Sequence, residues 1–226
     1  MIFGLLPVKD PSQAKHRLGP VLNREEREQL ARLMFAQALE VLLASRGLDR
    51  VVVASSDPAV LSAAAARGAT ALAETSQDGH SDSADCAARR AMEWGATTLL
   101  LAPSDVPLAT AADVELVLQT ALALPAPRLV IVPSTDGTGT NALVRTPPDL
   151  IQSRFGPGSF AAHLEQARAR RAAVAVARPP GLVFDLDTPQ DLAALLQRRP
   201  SGPIAEFLDR IQAARRLEST MPGQGE

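Results

Sequence analysis

One cysteine, Cys86, is all that this chain of 226 residues carries. A single thiol cannot close an internal disulfide or build a multi-thiolate metal site, and such usage fits a reducing compartment. Long apolar runs are missing as well: none approaches membrane-spanning length. Met1-Ile2-Phe3-Gly4-Leu5-Leu6-Pro7 has neither the basic start nor the small-residue cleavage site of a secretory signal. The expected location is the cytoplasm, with no membrane partner. An excess of either charge is also absent, with 23 Lys and Arg against 25 Asp and Glu for a net charge of −2. No basic field is there to attract nucleic acid, so small molecules are the expected partners. The chain has neither the G-x-x-x-x-G-K-[ST] pattern nor the G-x-G-x-x-G fingerprint after its first strand, which argues against a P-loop ATPase and a dinucleotide dehydrogenase. No Ser/His/Asp or Cys/His set, internal repeat or hinge-like linker is visible.

What is present is 46% hydrophobic sequence, enough for one well-cored domain over 1–217, followed by a Gly/Pro/Glu tail at 218–226 expected to be disordered. Short apolar runs at Ile2–Val8, Val51–Ala54, Ala69–Ala73, Thr97–Ala102, Leu129–Val132, Ala142–Val144, Ala173–Ala177 and Leu182–Phe184 read as strands. Amphipathic or alanine-rich stretches at Asn23–Ser45, Asp57–Arg67, Ser83–Trp94, Thr110–Leu124, Ser159–Arg171, from Pro189, and at Ser201–Leu217 read as helices. The alternation predicts an α/β fold of three layers, a mostly parallel sheet with helices on both faces.

Three features carry chemistry. The first loop holds Lys9, Lys15 and Arg17 directly after a buried strand, which fits either a solvated basic loop or a cradle for polyphosphate. The Gly-rich runs Asp136-Gly137-Thr138-Gly139-Thr140-Asn141 and Phe155-Gly156-Pro157-Gly158-Ser159-Phe160 read singly as turns with a Ser cap, and together as an anion pocket in which the Ser159 N–H and hydroxyl meet a phosphate or carboxylate at a helix start. The acidic residues Asp105, Asp185 and Asp187 lie at expected strand ends, where parallel sheets bind ligands. Asp185 and Asp187 would repel each other without a cation, which points to a hard divalent metal rather than turn and cap residues. His16 and His163 stand beside the loops and read more safely as surface histidines.

In this order the motifs resemble the 2-phospho-L-lactate guanylyltransferase family of coenzyme F420 biosynthesis. The segments that carry the resemblance are Pro7-Val8-Lys9 with Ala14-Lys15-His16-Arg17-Leu18, Pro103-Ser104-Asp105-Val106-Pro107-Leu108, Gly137–Asn141, Phe155–Phe160 and Asp185-Leu186-Asp187-Thr188-Pro189. It covers roughly residues 1–197 and lies in the ordered combination, not in any single motif. It implies a Rossmann-like nucleotidyltransferase fold, similar to the molybdenum-cofactor nucleotidyltransferases and to glycosyltransferase-A folds. It also implies transfer of GMP from GTP to 2-phospho-L-lactate, phosphoenolpyruvate or 3-phospho-D-glycerate with release of pyrophosphate. By the same resemblance Asp105, Asp185 and Asp187 are magnesium (Mg2+) ligands, and Thr140, Gly156 and Ser159 contact the acceptor. Lys9, Lys15 and Arg17 are the catalytic cations facing the triphosphate, and Pro7, Val8, Lys9, Gly79, His80, Ser81, Asp82, Ser104 and Asp105 bind the nucleotide.

The chain departs from the family at Gly79-His80-Ser81-Asp82-Ser83-Ala84-Asp85, where a Gly-Leu-Asn segment is usual. A carboxylate there, Asp82 or Asp85, would suit the donors of guanine, while Ser83 reads equally as a helix cap. Expected partners are GTP, the phosphorylated acid, a following pathway enzyme that takes over an unstable product, and a second copy of the chain in a homodimer. Three rivals remain: another base or acceptor on the same fold, a nucleotide-binding protein without catalysis, and an aspartyl-phosphate phosphatase built on Asp185-Leu186-Asp187.

Overall fold

The computed structural model describes residues 1–74 and 80–220, leaving out the side chains of 80–82. Among the described residues seven strands, β1 (Ile2–Val8), β2 (Arg50–Ser55), β3 (Thr70–Ala73), β4 (Thr98–Leu101), β5 (Arg128–Pro133), β6 (Thr140–Thr146) and β7 (Ala173–Val176), form one sheet in the order β3-β2-β1-β4-β6-β5-β7. All neighbours run parallel except β6, which is antiparallel to both β4 and β5. The expected mostly parallel α/β sheet is therefore present. The reversal of β6 brings its first residues, Thr140 and Asn141, to the edge where β1 and β4 end. Ligand sites of such sheets lie at that edge.

The strands are apolar almost throughout because both faces are covered. Leu6 and Val8 of β1 face one way, into a core shared with α1 (Arg24–Ala44), α2 (Pro58–Ala66) and α4 (Ala111–Leu122). Phe3 and Leu5 face the other, toward α3 (His80–Glu93) and α5 (Ser159–Ala169). On α3 the buried stripe is Ala84, Ala87, Ala88 and Ala91, the spacing of one helix face, and the small side chains let the helix lie close to the sheet. Asn23 with Glu26 and Thr110 with Asp113 close reciprocal capping boxes on α1 and α4, satisfying end N–H groups that would otherwise be orphaned.

The C-terminal third departs from expectation in three places. Leu182–Phe184 is not a strand; Pro180–Val183 is a short helical turn, α6. Pro180 stands at its first turn, where a missing N–H costs nothing. Gly181 packs so closely that an added Cβ would lie 2.4 Å from the Leu108 carbonyl oxygen. Beyond α7 (Pro189–Gln197), the single helix expected over 201–217 is two, α8 (Pro203–Arg210) and α9 (Ala213–Thr220), broken where Gln212 takes the left-handed conformation at φ 53°. The last helix runs to Thr220, so residues 218–220 of the expected tail are helical, and 221–226 lie outside the described residues.

These helices make a third core that matters for function. Leu186, Leu192, Leu195, Ile204, Phe207, Leu208 and Leu217 bury themselves with Leu18, Leu22, Leu30 and Met34. Leu18 lies three residues after Lys15, and Leu186 lies between Asp185 and Asp187. Each is fully buried, and each such leucine contributes roughly 2 kcal/mol of burial. One small core thus holds the lysine loop and the acidic loop against each other.

Candidate active site

Two clefts open along the sheet edge and meet at shared residues. The larger, about 580 Å³, is lined by residues that include Arg17, Asp136, Thr138, Thr140, Asn141, Gly156 and Asp185. The smaller, about 330 Å³, has Val8, Lys9, Lys15 and Ser104 among its walls. Pro7, Pro103, Asp105 and Asp187 belong to both. A molecule in each cleft would touch the other at these residues.

At the junction the Lys15 ammonium lies 2.9 Å from Asp105 Oδ2 and 2.6 Å from Asp187 Oδ1. Its side chain is only 8% exposed. Burial pulls the Lys15 pKa down, but the Asp105 and Asp187 charges outweigh it and hold it above the usual value. Lys15 itself adopts the left-handed conformation at φ 56°, between two single-turn helical segments, Pro11–Gln13 and His16–Leu18. That turn aims the side chain inward.

The acidic residues reach the junction by separate routes. Asp105 follows β4 in a loop tied to α1 by the Gln37 amide donating to the Pro107 carbonyl at 2.7 Å. The Leu186 N–H donates to the Asp105 carbonyl at 3.0 Å, so the two acidic loops are joined through backbone. Asp187 sits just before α7, where the Asp191 carboxylate accepts from the Asp187 and Thr188 N–H groups at 3.1 and 2.8 Å. Asp185 is held differently: the Asn141 amide donates to the Leu182 and Val183 carbonyls, each at 2.9 Å, and to Asp185 Oδ1 at 3.3 Å. Burial and then the neighbouring Asp105 charge push the Asp185 pKa up, and the hydrogen bond from Asn141 opposes them. Asn141 thus does for the α6 carbonyls what a strand ladder would have done.

In the larger cleft, Ser134 and Thr138 hydroxyls and the Thr138 N–H all donate to Asp136, an arrangement that lowers the Asp136 pKa and shapes the Gly-rich turn. Gly156 opens the facing loop at φ 111°, a conformation that L side chains avoid. Thr140 lines the cleft floor beside it. Ser159 does not stand in the wall. Its N–H donates to the Gly156 carbonyl at 3.1 Å and its hydroxyl to Thr140 Oγ1 at 3.2 Å, so it bonds two residues of the wall from behind. The residue capping α5 is Gly158.

The structure brings Pro7, Val8, Lys9, Lys15, Ser104, Asp105 and Asp187 together around the smaller cleft, and Arg17, Thr140, Gly156 and Asp185 around the larger. The three cations are therefore divided between two clefts. Gly79 lies outside the described residues, and for His80, Ser81 and Asp82 only the backbone, at the start of α3, is described. Asp85 is not available to a base: its carboxylate accepts from the Ser153 N–H and hydroxyl and from the buried Arg145 guanidinium. Ser83 is no cap, because α3 begins before it; its hydroxyl donates to Glu74. His16 is exposed as expected, whereas His163 is fully buried. Sequence reasoning missed the positioning roles of Gln37, Asn141 and Asp191. One signal was at hand for the centre: Lys9 and Lys15 are the only lysines in the chain.

No group of three His, Cys, Asp or Glu side chains among the described residues is drawn close enough to hold a metal as it stands. The Lys15 ammonium bridges Asp105 and Asp187 and offsets one of their two charges. The donor set still suits magnesium, a hard ion that takes one or two carboxylates and completes its shell with water and substrate phosphate oxygens. Among the described residues no helix is long and apolar enough to cross a membrane.

Residues 2–224 match the family described as guanylyl transferase CofC like. A phosphoenolpyruvate guanylyltransferase of Rubrobacter xylanophilus is 42% identical over 194 residues, 86% of this chain and 93% of that protein. A 2-phospho-L-lactate guanylyltransferase of Methanothermobacter thermautotrophicus is 32% identical over 211 residues, 92% of this chain and 90% of the other. Among solved structures, a putative nucleotide-diphospho-sugar transferase from Desulfovibrio desulfuricans G20 superposes with a TM-score of 0.77 over 97% of both chains at 19% identity, a likeness of fold.

Proposed function

The chain belongs to the CofC-like guanylyl transferase family, and from that premise we propose that it moves GMP from GTP onto a three-carbon phosphorylated acid, phosphoenolpyruvate foremost, in coenzyme F420 biosynthesis. The observation that carries this reading is the junction at Asp105 and Asp187, where the two clefts meet under one buried lysine. Choice of phosphoenolpyruvate among the acids rests on the 42% identical relative of that name.

In this reading the smaller cleft takes the triphosphate, with Lys9 and Lys15 offsetting its charge, and the larger takes the acceptor. An acceptor phosphate oxygen attacks the α-phosphorus in line; the new O–P bond forms as the bond to the β-phosphate oxygen breaks, and pyrophosphate leaves with that electron pair. The acceptor phosphate is already ionised near neutral pH, so no protein base has to remove a proton. What the chain supplies is alignment and charge. Asp105, Asp185 and Asp187 would hold magnesium, which supplies further neutralisation of the triphosphate when bound. Asn141 and Asp191 keep the acidic loop in place, and Arg17 faces the acceptor side. The product is a reactive mixed diester of pyrophosphate, which suits direct transfer to the next enzyme.

The test is incubation with each of the three acids and each of GTP, ATP, CTP and UTP, with magnesium or with EDTA, scored by mass spectrometry and pyrophosphate release. Product with GTP and phosphoenolpyruvate, lost in EDTA, is expected. Inorganic phosphate in place of pyrophosphate would hand the site to a phosphatase, and no turnover in any combination would leave only a binding protein.

A further inference from the structure

His163, on α5, is fully buried and lies behind the larger cleft, away from the carboxylate junction. Its Nε2 accepts the Arg154 backbone N–H at 2.9 Å. A neutral ring that accepts at one nitrogen carries its proton on the other. Burial, followed by the nearby Arg145 charge, holds the His163 pKa down to about 4, so the ring is neutral at physiological pH. Nδ1–H then donates to Thr140 Oγ1, 3.0 Å away. The Ser159 hydroxyl donates to the same oxygen at 3.2 Å.

A threonine hydroxyl accepts two hydrogen bonds and donates one. With both acceptor positions of Thr140 taken from behind, its own O–H is left to donate, and Thr140 lines the cleft. We propose that His163 is a positioning residue that locks the Thr140 hydroxyl as a hydrogen-bond donor into the larger cleft, where it meets an anionic oxygen of the phosphorylated acid. The inference rests on the reading above that this cleft takes the acceptor. It adds a discrimination: a hydroxyl locked as donor rewards a carboxylate or phosphate oxygen and has no lone pair left for a ligand ammonium. The same imidazole steadies the facing loop, because Arg154 is held by Nε2 and the Phe155 ring meets the imidazole edge-on at 5.9 Å, one residue before Gly156.

Wild type, His163→Phe, His163→Asn, Thr140→Val and the His163→Phe/Thr140→Val double variant are compared in steady-state kinetics with GTP and phosphoenolpyruvate. His163→Phe keeps ring volume without either hydrogen bond, and His163→Asn keeps a donor near Nδ1. Expected are a rise of about tenfold in the phosphoenolpyruvate KM for His163→Phe and for Thr140→Val, with the GTP KM within about twofold of wild type. The double variant should be no worse than either single, and His163→Asn should recover much of the loss. Parallel rises in both KM values, or additive effects in the double variant, would overturn the relay. Imidazole ¹⁵N shifts of the wild type give a second measurement independent of any variant's folding: protonated Nδ1 with bare Nε2 at pH 7 is expected, and the opposite tautomer or an imidazolium overturns the proposal. Wild type that turns over none of the three acids sinks the substrate reading instead, and the tautomer still decides the relay.

Discussion

Lys15 Nζ and Asp187 Oδ1 lie 2.6 Å apart across 172 positions of sequence. With Asp105 on its other side, that lysine is the cation around which the acidic residues gather, so Asp185 and Asp187 are not equivalent. Asp187 is paired, whereas Asp185 has its pKa raised by burial and by Asp105.

Asp185→Asn and Asp187→Asn should therefore part company in stability. Both should lower kcat by more than about a hundredfold if they hold charge at the reacting phosphates. Asp185→Asn removes a charge that the fold disfavours, so its melting temperature should hold or rise, while Asp187→Asn should melt earlier for want of the Lys15 partner. Thermal unfolding beside a pyrophosphate assay checks both; equal melting shifts would refute the assignment of Lys15 to Asp187.

Lys15→Ala should turn the junction into a stronger site for a divalent ion while lowering activity. Removing the ammonium takes away one positive charge beside Asp105 and Asp187, and a ligand that binds only the native state raises stability by mass action. The melting temperature of Lys15→Ala should rise more on adding magnesium than that of wild type. An unchanged response would place metal binding elsewhere.

His163 makes stability pH-dependent on the acid side. Its pKa in the fold, about 4, lies below the ordinary histidine value, so the unfolded chain binds a proton first as pH falls. The stabilisation is fully present above about 6.5 and is lost toward about 4, at up to about 1.4 kcal/mol per pH unit. Urea unfolding from pH 7 to 4.5 should show a shallower slope in His163→Asn than in wild type; identical slopes would mean that the ring is already charged in the fold.

Asp85→Asn separates folding from base choice. The buried Arg145 guanidinium would lose its Asp85 countercharge, with two of its nitrogens, Nε and one terminal nitrogen, already without a hydrogen-bond partner among the described residues. Loss of one member of a buried pair costs about 3 kcal/mol or more. The preference for GTP over ATP, expected to be at least about a hundredfold in kcat/KM, should survive in the protein that folds. A collapse of that preference without loss of stability would return Asp85 to the base pocket.

Most strands were legible because each is an apolar run covered on both faces, and the helix starts near Asn23, Asp57, Thr110 and Pro189 were legible too, although the cap of the last is Thr188 and not one of the aspartates before it. Leu182–Phe184 misled because three apolar residues fit a strand or a buried turn alike. What decided it was tertiary: the tight seat of Gly181 and the Asn141 amide, neither of them local. The break at Gln212 carries no glycine to announce it. Of the site, the residue types and their order could be read, but not their partners. Ser159 looked like a phosphate cap and is a hydroxyl behind another hydroxyl; His163 looked like a surface residue because nothing adjacent in sequence foretells Thr140 or Arg154 as its partners.

The core that joins Leu18 to Leu186 and Leu217 also sets an order of events during synthesis. The ribosome makes the lysine loop well over a hundred residues before Leu186 and the helices that pack on it. Until α7–α9 have emerged, Leu18 and Leu22 have only the α1 side of their apolar seat, Leu30 and Met34, and Lys15 has no Asp187 to meet. A chain interrupted before Leu186 would carry the strands of the sheet and a loose basic loop. The nascent protein should thus gain its activity only once that segment is made, and chaperone contact with the leucines of the first loop should persist until α7–α9 have emerged.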